Sequence, residues 1–258
     1  MYDTLHYILG ALSGGLVGLT LGLVGGGGSI LAVPLMVYVV GVTNPHVAIG
    51  TSALAVAVNA ATSLSHHARA HTVKWRCGAI YAGAGIVGAL IGSTIGKSID
   101  GQKLLFLFAL VMLVVGAVML KNRKAAGIPN AQCSRENAAK VVGFGFGTGT
   151  FSGFFGIGGG FLIVPGLMAS TKMPMINAVG TSLVAVTGFG LTTSLNYALS
   201  GFVAWGIALV FIGGGIAGGL LGTGLARRLQ GKGALTTVFA ILIFIVAAYM
   251  LWKSWAAL

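Results

Sequence analysis

The stretch Gly25-Gly26-Gly27-Gly28-Ser29-Ile30-Leu31-Ala32-Val33-Pro34 decides the architecture of this chain, because it returns 131 residues later. The second copy reads Gly156-Ile157-Gly158-Gly159-Gly160-Phe161-Leu162-Ile163-Val164-Pro165. Two more blocks recur in the same order at an offset of 130: Gly50-Thr51-Ser52 as Gly180-Thr181-Ser182, and the run 83–92 as 213–222. Three blocks at a nearly constant offset indicate a tandem duplication, which in membrane proteins is typical of transporters.

The composition places the chain in a lipid bilayer. Apolar residues make up 56% of the 258 residues and charged residues only 7%, whereas soluble domains carry about 25% charged residues. The acids Asp3, Asp100 and Glu136 all lie outside the apolar segments. The net charge of +12 comes from basic residues in short loops between apolar runs, a pattern typical of topology signals. We therefore expect no nucleic-acid partner.

Ten apolar segments, five in each half, predict an all-α polytopic membrane protein. The first half, 1–120, is the first membrane repeat, the polar stretch 121–140 is a cytoplasmic linker, and 141–258 is the second repeat. The predicted segments are 7–24, 28–42, 46–66, 77–97, 103–120, 141–156, 158–171, 176–198, 204–226 and 234–252.

The basic residues predict the orientation. With the N-terminus outside, 12 of the 15 Lys and Arg residues lie on the cytoplasmic side, against 3 of 15 for the opposite orientation. The positive-inside rule therefore predicts a multi-pass membrane protein with both termini outside. Because each half has an odd number of segments, the repeats have inverted topology, an arrangement that provides alternating access.

Two segments must share the 30 residues from Val141 to Ser170, although a spanning helix needs about 20. This predicts a glycine-broken or re-entrant pair of helices in the second half and, less strongly, over Tyr7–Val40 in the first. Short full crossings are the alternative.

The glycine runs are the first candidate site. Each run precedes a predicted helix, 29–40 or 161–169, whose N-terminal amides and dipole would bind an anion without a charged side chain. The candidate residues are Gly26, Gly27, Gly28 and Ser29 in the first half and Gly158, Gly159 and Gly160 in the second. The alternative is that these glycines only permit close helix packing.

The two Gly-Thr-Ser motifs, each at the start of a long segment, are the second candidate site. Their hydroxyls, with amides further along the same helices, could donate to the oxygens of an oxyanion. The candidates are Thr51, Ser52 and Asn59 in the first repeat and Thr181, Ser182 and Asn196 in the second. Hydrogen bonding between helices is the alternative.

The charge pattern favours a small anion as substrate. Carriers of cations generally place acids in the membrane, and the apolar segments of this chain contain none. We expect no enzyme activity, cofactor or metal, because catalytic and nucleotide-binding motifs are missing and His66, His67 and His71 have no Cys, Asp or Glu nearby. Cys77 and Cys133 show no pairing or metal spacing. His46 is a candidate gate or proton group.

The glycine runs, followed by Ala48-Ile49-Gly50-Thr51-Ser52 and by Ala178-Val179-Gly180-Thr181-Ser182, resemble the TauE/SafE family, often called sulfite exporters, over essentially the whole chain. The resemblance implies an inner-membrane permease for sulfite, sulfoacetate or a related sulfur-containing anion. We therefore expect a secondary transporter that binds the anion at midplane helix N-termini and exports it by alternating access. The alternatives are an anion channel without coupling, a membrane scaffold and, last, a membrane enzyme. An oligomer is compatible with the sequence.

Overall fold

The computed structural model describes residues 3–121, 128, 133–157, 160–229 and 234–255, and these residues are almost entirely helical. The helices α1 to α10 span Thr4–Val24, Ala32–Tyr38, Pro45–Arg69, Trp75–Lys97, Gly101–Lys121, Arg135–Phe155, Gly160–Thr171, Met175–Ala198, Trp205–Leu229 and Ala234–Trp255. A 3₁₀ segment, Gly25–Leu31, joins α1 to α2. Within the described residues, six helices (α1, α3, α4, α5, α8 and α9) are long and apolar enough to cross a membrane. The predicted all-α polytopic membrane fold is confirmed.

Local signals in the sequence set several helix ends. Asn44 accepts a hydrogen bond from the His46 amide at 2.9 Å, and Pro45 occupies the first position of α3, where its missing N–H costs nothing. A capping box of Ser134 and Asn137 begins α6, six residues earlier than the predicted segment. Helix α6 therefore has 21 residues, although it is not among the six helices that are long and apolar enough to cross a membrane.

The third helices of the two repeats, α3 and α8, run antiparallel. Gly50 near the start of α3 contacts Phe202, which follows the end of α8, and Gly180 near the start of α8 contacts Thr72, which follows the end of α3. Equivalent helices thus run in opposite directions, as inverted repeats require. We call the membrane side where α3 begins the Pro45 side and the side where it ends the Arg69 side.

The two repeats interlock rather than pack as separate blocks. The first helix of each repeat lies parallel to the fourth helix of the other, so that α1 packs on α9 and α6 packs on α4. Glycines face the partner's backbone along both pairs, as in the contacts of Gly14 with Phe211, Gly18 with Gly215, Gly149 with Gly85 and Gly153 with Ala89. The repeated glycine block 83–92 and 213–222 therefore serves close backbone approach, which drives helix association in membranes.

The second helix of each repeat is short. Helix α7 has 12 residues, and at 1.5 Å per residue it is about 18 Å long, less than the roughly 30 Å of the hydrocarbon core. In the first repeat α1, the 3₁₀ segment and α2 follow one another without an intervening loop. The first glycine run is thus itself helical, whereas the sequence predicted a turn before a helix at 29–40.

Cys77 and Cys133, whose spacing in the sequence indicated no pairing, are paired in the structure. The two residues form a disulfide with a Cα–Cα distance of 5.4 Å, across a sequence separation of 56. Spacing along the chain gave no sign of the pair, because the parallel packing of α4 on α6 brings the start of α4 next to the residue that precedes α6. The bond joins the first repeat to the end of the predicted linker, of which 121, 128 and 133–140 are described.

Candidate functional site

The centre of the molecule is marked by Asn59 on α3. Ala57 of α3 contacts Gly190 of α8, and a Cβ added at Gly180 would lie 3.3 Å from His67 Nδ1. These two contacts show that residues 58–59 of α3 lie at the same depth as residues 188–189 of α8. These are equivalent positions in the two repeats, so Asn59 lies at the level of the pseudo-two-fold axis. A site at this depth is equally far from both membrane surfaces.

The side-chain amide of Asn59 is buried and has no hydrogen-bond partner among the described residues. The residue is 1% exposed, and neither Nδ2 nor Oδ1 makes a hydrogen bond. Its amide faces Gly215 of α9, where any Cβ would collide with Nδ2. Burying an amide without a hydrogen bond lowers the stability of the folded protein by about 1–3 kcal/mol, as judged from mutational data. Such a group calls for a specific explanation, and a polar ligand is one.

The threonines of the Gly-Thr-Ser motifs have protein partners. Ala204 N–H, just before α9, donates to Thr51 Oγ1 at 2.9 Å, and Lys74 N–H, just before α4, donates to Thr181 Oγ1 at 2.9 Å. Each threonine thus holds the start of the fourth helix of the opposite repeat. This geometry corresponds to the hydrogen-bonding alternative, and a ligand role for the threonines stays a prediction.

The serines of the same motifs bond back to their own helices. Ser52 Oγ donates to the Ile49 carbonyl at 3.1 Å, and Ser182 Oγ donates to the Val179 carbonyl at 2.8 Å. Both serines are fully buried. Their hydroxyls are satisfied locally, as is common for Ser within membrane helices.

Asn196 belongs to a polar cluster on the Pro45 side rather than to the centre. Its Oδ1 accepts from Lys97 Nζ at 2.8 Å, and its Nδ2 donates to Ser93 Oγ at 2.6 Å. Lys97 Nζ also donates to the Asn196 carbonyl at 3.0 Å and to Ser200 Oγ at 2.8 Å. A cation on the last carbonyls of α8 stabilises the negative end of that helix.

The glycine turn of the second repeat lies away from Asn59. Gly156, with φ 67°, ends α6 and packs on Ile49, ten residues before Asn59 on α3, which corresponds to about 15 Å. Gly160 begins α7, whereas Gly158 and Gly159 lie outside the described residues. Gly156 therefore lies away from the level of Asn59, and anion binding by the second glycine run stays a prediction.

The first glycine run folds back on α1. Gly28 packs on the backbone of Thr20 and Leu21, and Thr20 Oγ1 lies 3.5 Å from the Gly28 carbonyl. Gly26 and Gly27 lie in the 3₁₀ segment, and Ser29 is fully buried. These contacts are those of tight packing, and anion binding by this run stays a prediction.

Several further buried polar groups make no hydrogen bond, and sequence reasoning missed Ser152 and Tyr197 among them. In the described part of the chain they are, besides Asn59, Ser152 Oγ, Thr193 Oγ1, Tyr197 OH and His46 Nδ1. Isolated hydroxyls in apolar helices are too common to single out from a sequence. The expected gate, His46, lies among them, with its ring 6.2 Å from that of Tyr197 and 5.5 Å from that of Phe202.

These unpartnered groups all lie on one side of the molecule. Gly153 packs on Ala89 and Asn196 reaches Ser93, which places Ser152 and Thr193 between the level of Asn59 and the Pro45 side. Tyr197 and His46 lie closer still to that surface. Among the described residues, the unsatisfied polar atoms thus form a series from the centre to the Pro45 side.

The fold and these buried groups define a class: a polytopic helical membrane protein built from two interlocked inverted repeats, with an unpaired amide at its centre. The family model described as "Sulfite exporter TauE/SafE" matches residues 10–250. The chain belongs to this family.

Similar proteins carry the name of transporters. A "Probable membrane transporter protein" of Xylella fastidiosa (strain Temecula1) is 54% identical over 255 residues, covering 95% of each chain. "Probable membrane transporter protein YunE" of Bacillus subtilis is 29% identical over 78% of this chain and 81% of its own. "Probable membrane transporter protein MJ0441" of Methanocaldococcus jannaschii is 28% identical over 74% and 73%. No solved structure matches. The family and these names indicate a membrane transporter rather than an enzyme.

Proposed function

We propose that this chain is a secondary transporter that exports a small anion, such as sulfite, sulfoacetate or another organosulfur anion, across the inner membrane by alternating access. The observation that carries the proposal is the unpaired amide of Asn59 at the level of the pseudo-two-fold axis. A central site between inverted repeats is where secondary transporters bind their substrates.

The sign of the substrate charge follows from the groups available. The Asn59 amide offers two N–H donors to an anion's oxygens. The three acids lie at helix ends: Asp3 precedes α1, Asp100 accepts from the Gln102 amide at the start of α5, and Glu136 is exposed in the first turn of α6. A cation at the centre would therefore meet no counter-charge.

The unpartnered groups lie at successive depths between Asn59 and the Pro45 side. Ser152 and Thr193 carry hydroxyls at intermediate depths, and Lys97 lies near the Pro45 side, 6.0 Å from the Tyr197 ring centre. If the Pro45 side is outside, as the basic loops predict, an inside-negative potential favours export by about 2.3 kcal/mol per charge per 100 mV.

The substrate would need a conformational change to reach Asn59. Gly215 of α9 covers the amide directly, and Gly215 is in turn held against Gly18 of α1. Because α1 and α9 contact each other backbone to backbone, we expect them to move together, away from α3. A covered site of this kind favours a carrier over an open channel.

The test is sulfite efflux from proteoliposomes under an imposed potential, with sulfate, sulfoacetate and chloride as competitors. We compare the wild type with Asn59→Asp, which places a negative charge at the site, and with Thr187→Val. Thr187 lies on α8 near the same depth and its hydroxyl bonds only to the Leu183 carbonyl at 2.8 Å, so this variant is the matched control. We expect saturable efflux that one organosulfur anion blocks, at least tenfold slower in Asn59→Asp and unchanged in the control.

Two results would contradict the proposal. Efflux that does not saturate with concentration would indicate the channel alternative. Full transport activity in Asn59→Asp would show that the substrate does not bind at Asn59.

A further inference from the structure

An apolar groove of about 700 Å³ runs along the lipid-facing side of the protein between α5 and α6. Its walls are aliphatic and aromatic, and Leu162 of α7 also lines it. The lining residues are Leu110, Val111, Val114 and Val115 of α5, Lys140, Gly143, Phe144, Gly147, Thr148 and Phe151 of α6, and Leu162. The only hydroxyl among them, that of Thr148, is bonded to Tyr81 OH and to the Phe144 carbonyl, both at 2.8 Å.

The groove exists where two glycines leave space. A Cβ on Gly143 or Gly147 would meet nothing within 4 Å. The equivalent positions on α1, 131 residues earlier, are Leu12 and Leu16, whose side chains are 66% and 42% exposed. The second repeat therefore has an open groove where the first repeat presents leucines. The duplicated fold would be equally compatible with leucines at 143 and 147, so the groove is a feature of the second repeat alone.

The dimensions of the groove limit what can occupy it. From Lys140 to Phe151 the lining of α6 extends over eleven residues, or about 16 Å. A hydrocarbon chain is narrow enough to lie along this length against the apolar walls.

The charge at one end indicates the head group of the occupant. Lys140 lines the end of the groove on the Arg69 side and is exposed. Helix α5 ends and α6 begins on this side. A basic residue beside an apolar groove at the membrane surface attracts an anionic lipid head group, contributing about 1 kcal/mol.

We propose that this groove binds one anionic phospholipid, with an acyl chain against Gly143 and Gly147 and the head group at Lys140. The acyl chain covers the apolar walls of α5 and α6, and the phosphate of the lipid pairs with the ammonium group of Lys140. The site is separate from Asn59 and does not depend on the proposed transport activity.

Native mass spectrometry of the purified full-length protein, exchanged into detergent with equal amounts of phosphatidylglycerol and phosphatidylethanolamine, tests the proposal. We expect one retained phosphatidylglycerol per chain. The double variant Gly143→Leu/Gly147→Leu should lower its occupancy at least tenfold, because leucines would fill the groove. The matched control is Gly83→Leu/Gly213→Leu, at exposed helix positions with equally open space but outside the groove.

A second pair of variants tests the head group without altering the groove. Lys140→Gln should reduce the preference for phosphatidylglycerol over phosphatidylethanolamine at least fivefold, and Lys172→Gln, an exposed lysine on the Arg69 side that does not line the groove, should not. Equal adduct levels in wild type and the groove-filling variant would overturn the proposal. So would an unchanged lipid preference in Lys140→Gln, or a dimer of the wild type that the groove-filling variant converts to monomer.

Discussion

The hydroxyl of Thr51 accepts a hydrogen bond at 2.9 Å from the backbone amide of Ala204, 153 residues later in the chain. The same bond recurs between Thr181 and the Lys74 amide at 2.9 Å. Together the two bonds attach the fourth helix of each repeat to the third helix of the other. They give the repeated Thr of the Gly-Thr-Ser motif a role in assembly, since they hold the interlocked repeats in register.

Replacing either threonine by valine should weaken this attachment. Thr51→Val and Thr181→Val each leave a partly buried amide without its acceptor, which we expect to cost about 1 kcal/mol of stability. Thermal unfolding in detergent should show similar lowering of Tm in both variants, with Thr187→Val as control. A large loss in one variant only would contradict the symmetry of the pair, and loss of transport without loss of stability would indicate a ligand role.

The apolar variant Asn59→Leu should separate stability from function. Removing a buried polar group that has no partner is neutral or stabilising when the replacement fills the same space, so Tm should stay equal or rise. Sulfite efflux should fall at least tenfold. A lowered Tm, measured in the same detergent, would show that Asn59 is part of a structural hydrogen-bond network instead.

The two motif glycines should differ in their tolerance of alanine. A Cβ at Gly50 would collide with the Phe202 carbonyl, which is backbone, whereas at Gly180 it would lie 2.7 Å from Thr72 Oγ1, a side-chain atom that can rotate away. Gly50→Ala should therefore destabilise more than Gly180→Ala, by about 1–3 kcal/mol. Comparing the two Tm values checks this order, and equal values would contradict it.

The turn after α3 should be improved by glycine. His71 has a φ of 54°, and its equivalent in the second repeat is Gly201 with a φ of 75°. A side chain in this left-handed conformation costs about 1 kcal/mol or more, which glycine avoids. His71→Gly should raise Tm and Gly201→His should lower it. If His71→Gly lowers Tm, the turn depends on the imidazole.

Cysteine labelling should reveal the orientation. In a Cys77→Ser/Cys133→Ser background, Ser98→Cys lies on the Pro45 side and Ala70→Cys on the Arg69 side, both exposed. An impermeant maleimide applied to intact cells should label position 98 and spare position 70. The reverse pattern would invert the predicted topology and, with it, the proposed direction of export.

The sequence alone determined the architecture of this protein. The offset of the glycine blocks and the ten apolar segments are local or periodic features. Hydrophobicity acts over a few residues, so it predicts which stretches form apolar helices, whereas six of the described helices are long and apolar enough to cross a membrane. Asn59 could be named as a candidate because it shares a helix with the Gly-Thr-Ser motif at a spacing that places it on the same face as Thr51.

Only the tertiary structure decided which polar groups are free. Thr51, Thr181 and Asn196 find partners more than 100 residues away, Cys77 meets Cys133, and Asn59 meets the bare backbone of Gly215. Each outcome depends on which helix lies opposite, and the interlocking of the repeats sets that neighbour. Whether a hydroxyl or amide is satisfied is a property of the contact between two helices, and neither helix's sequence contains it.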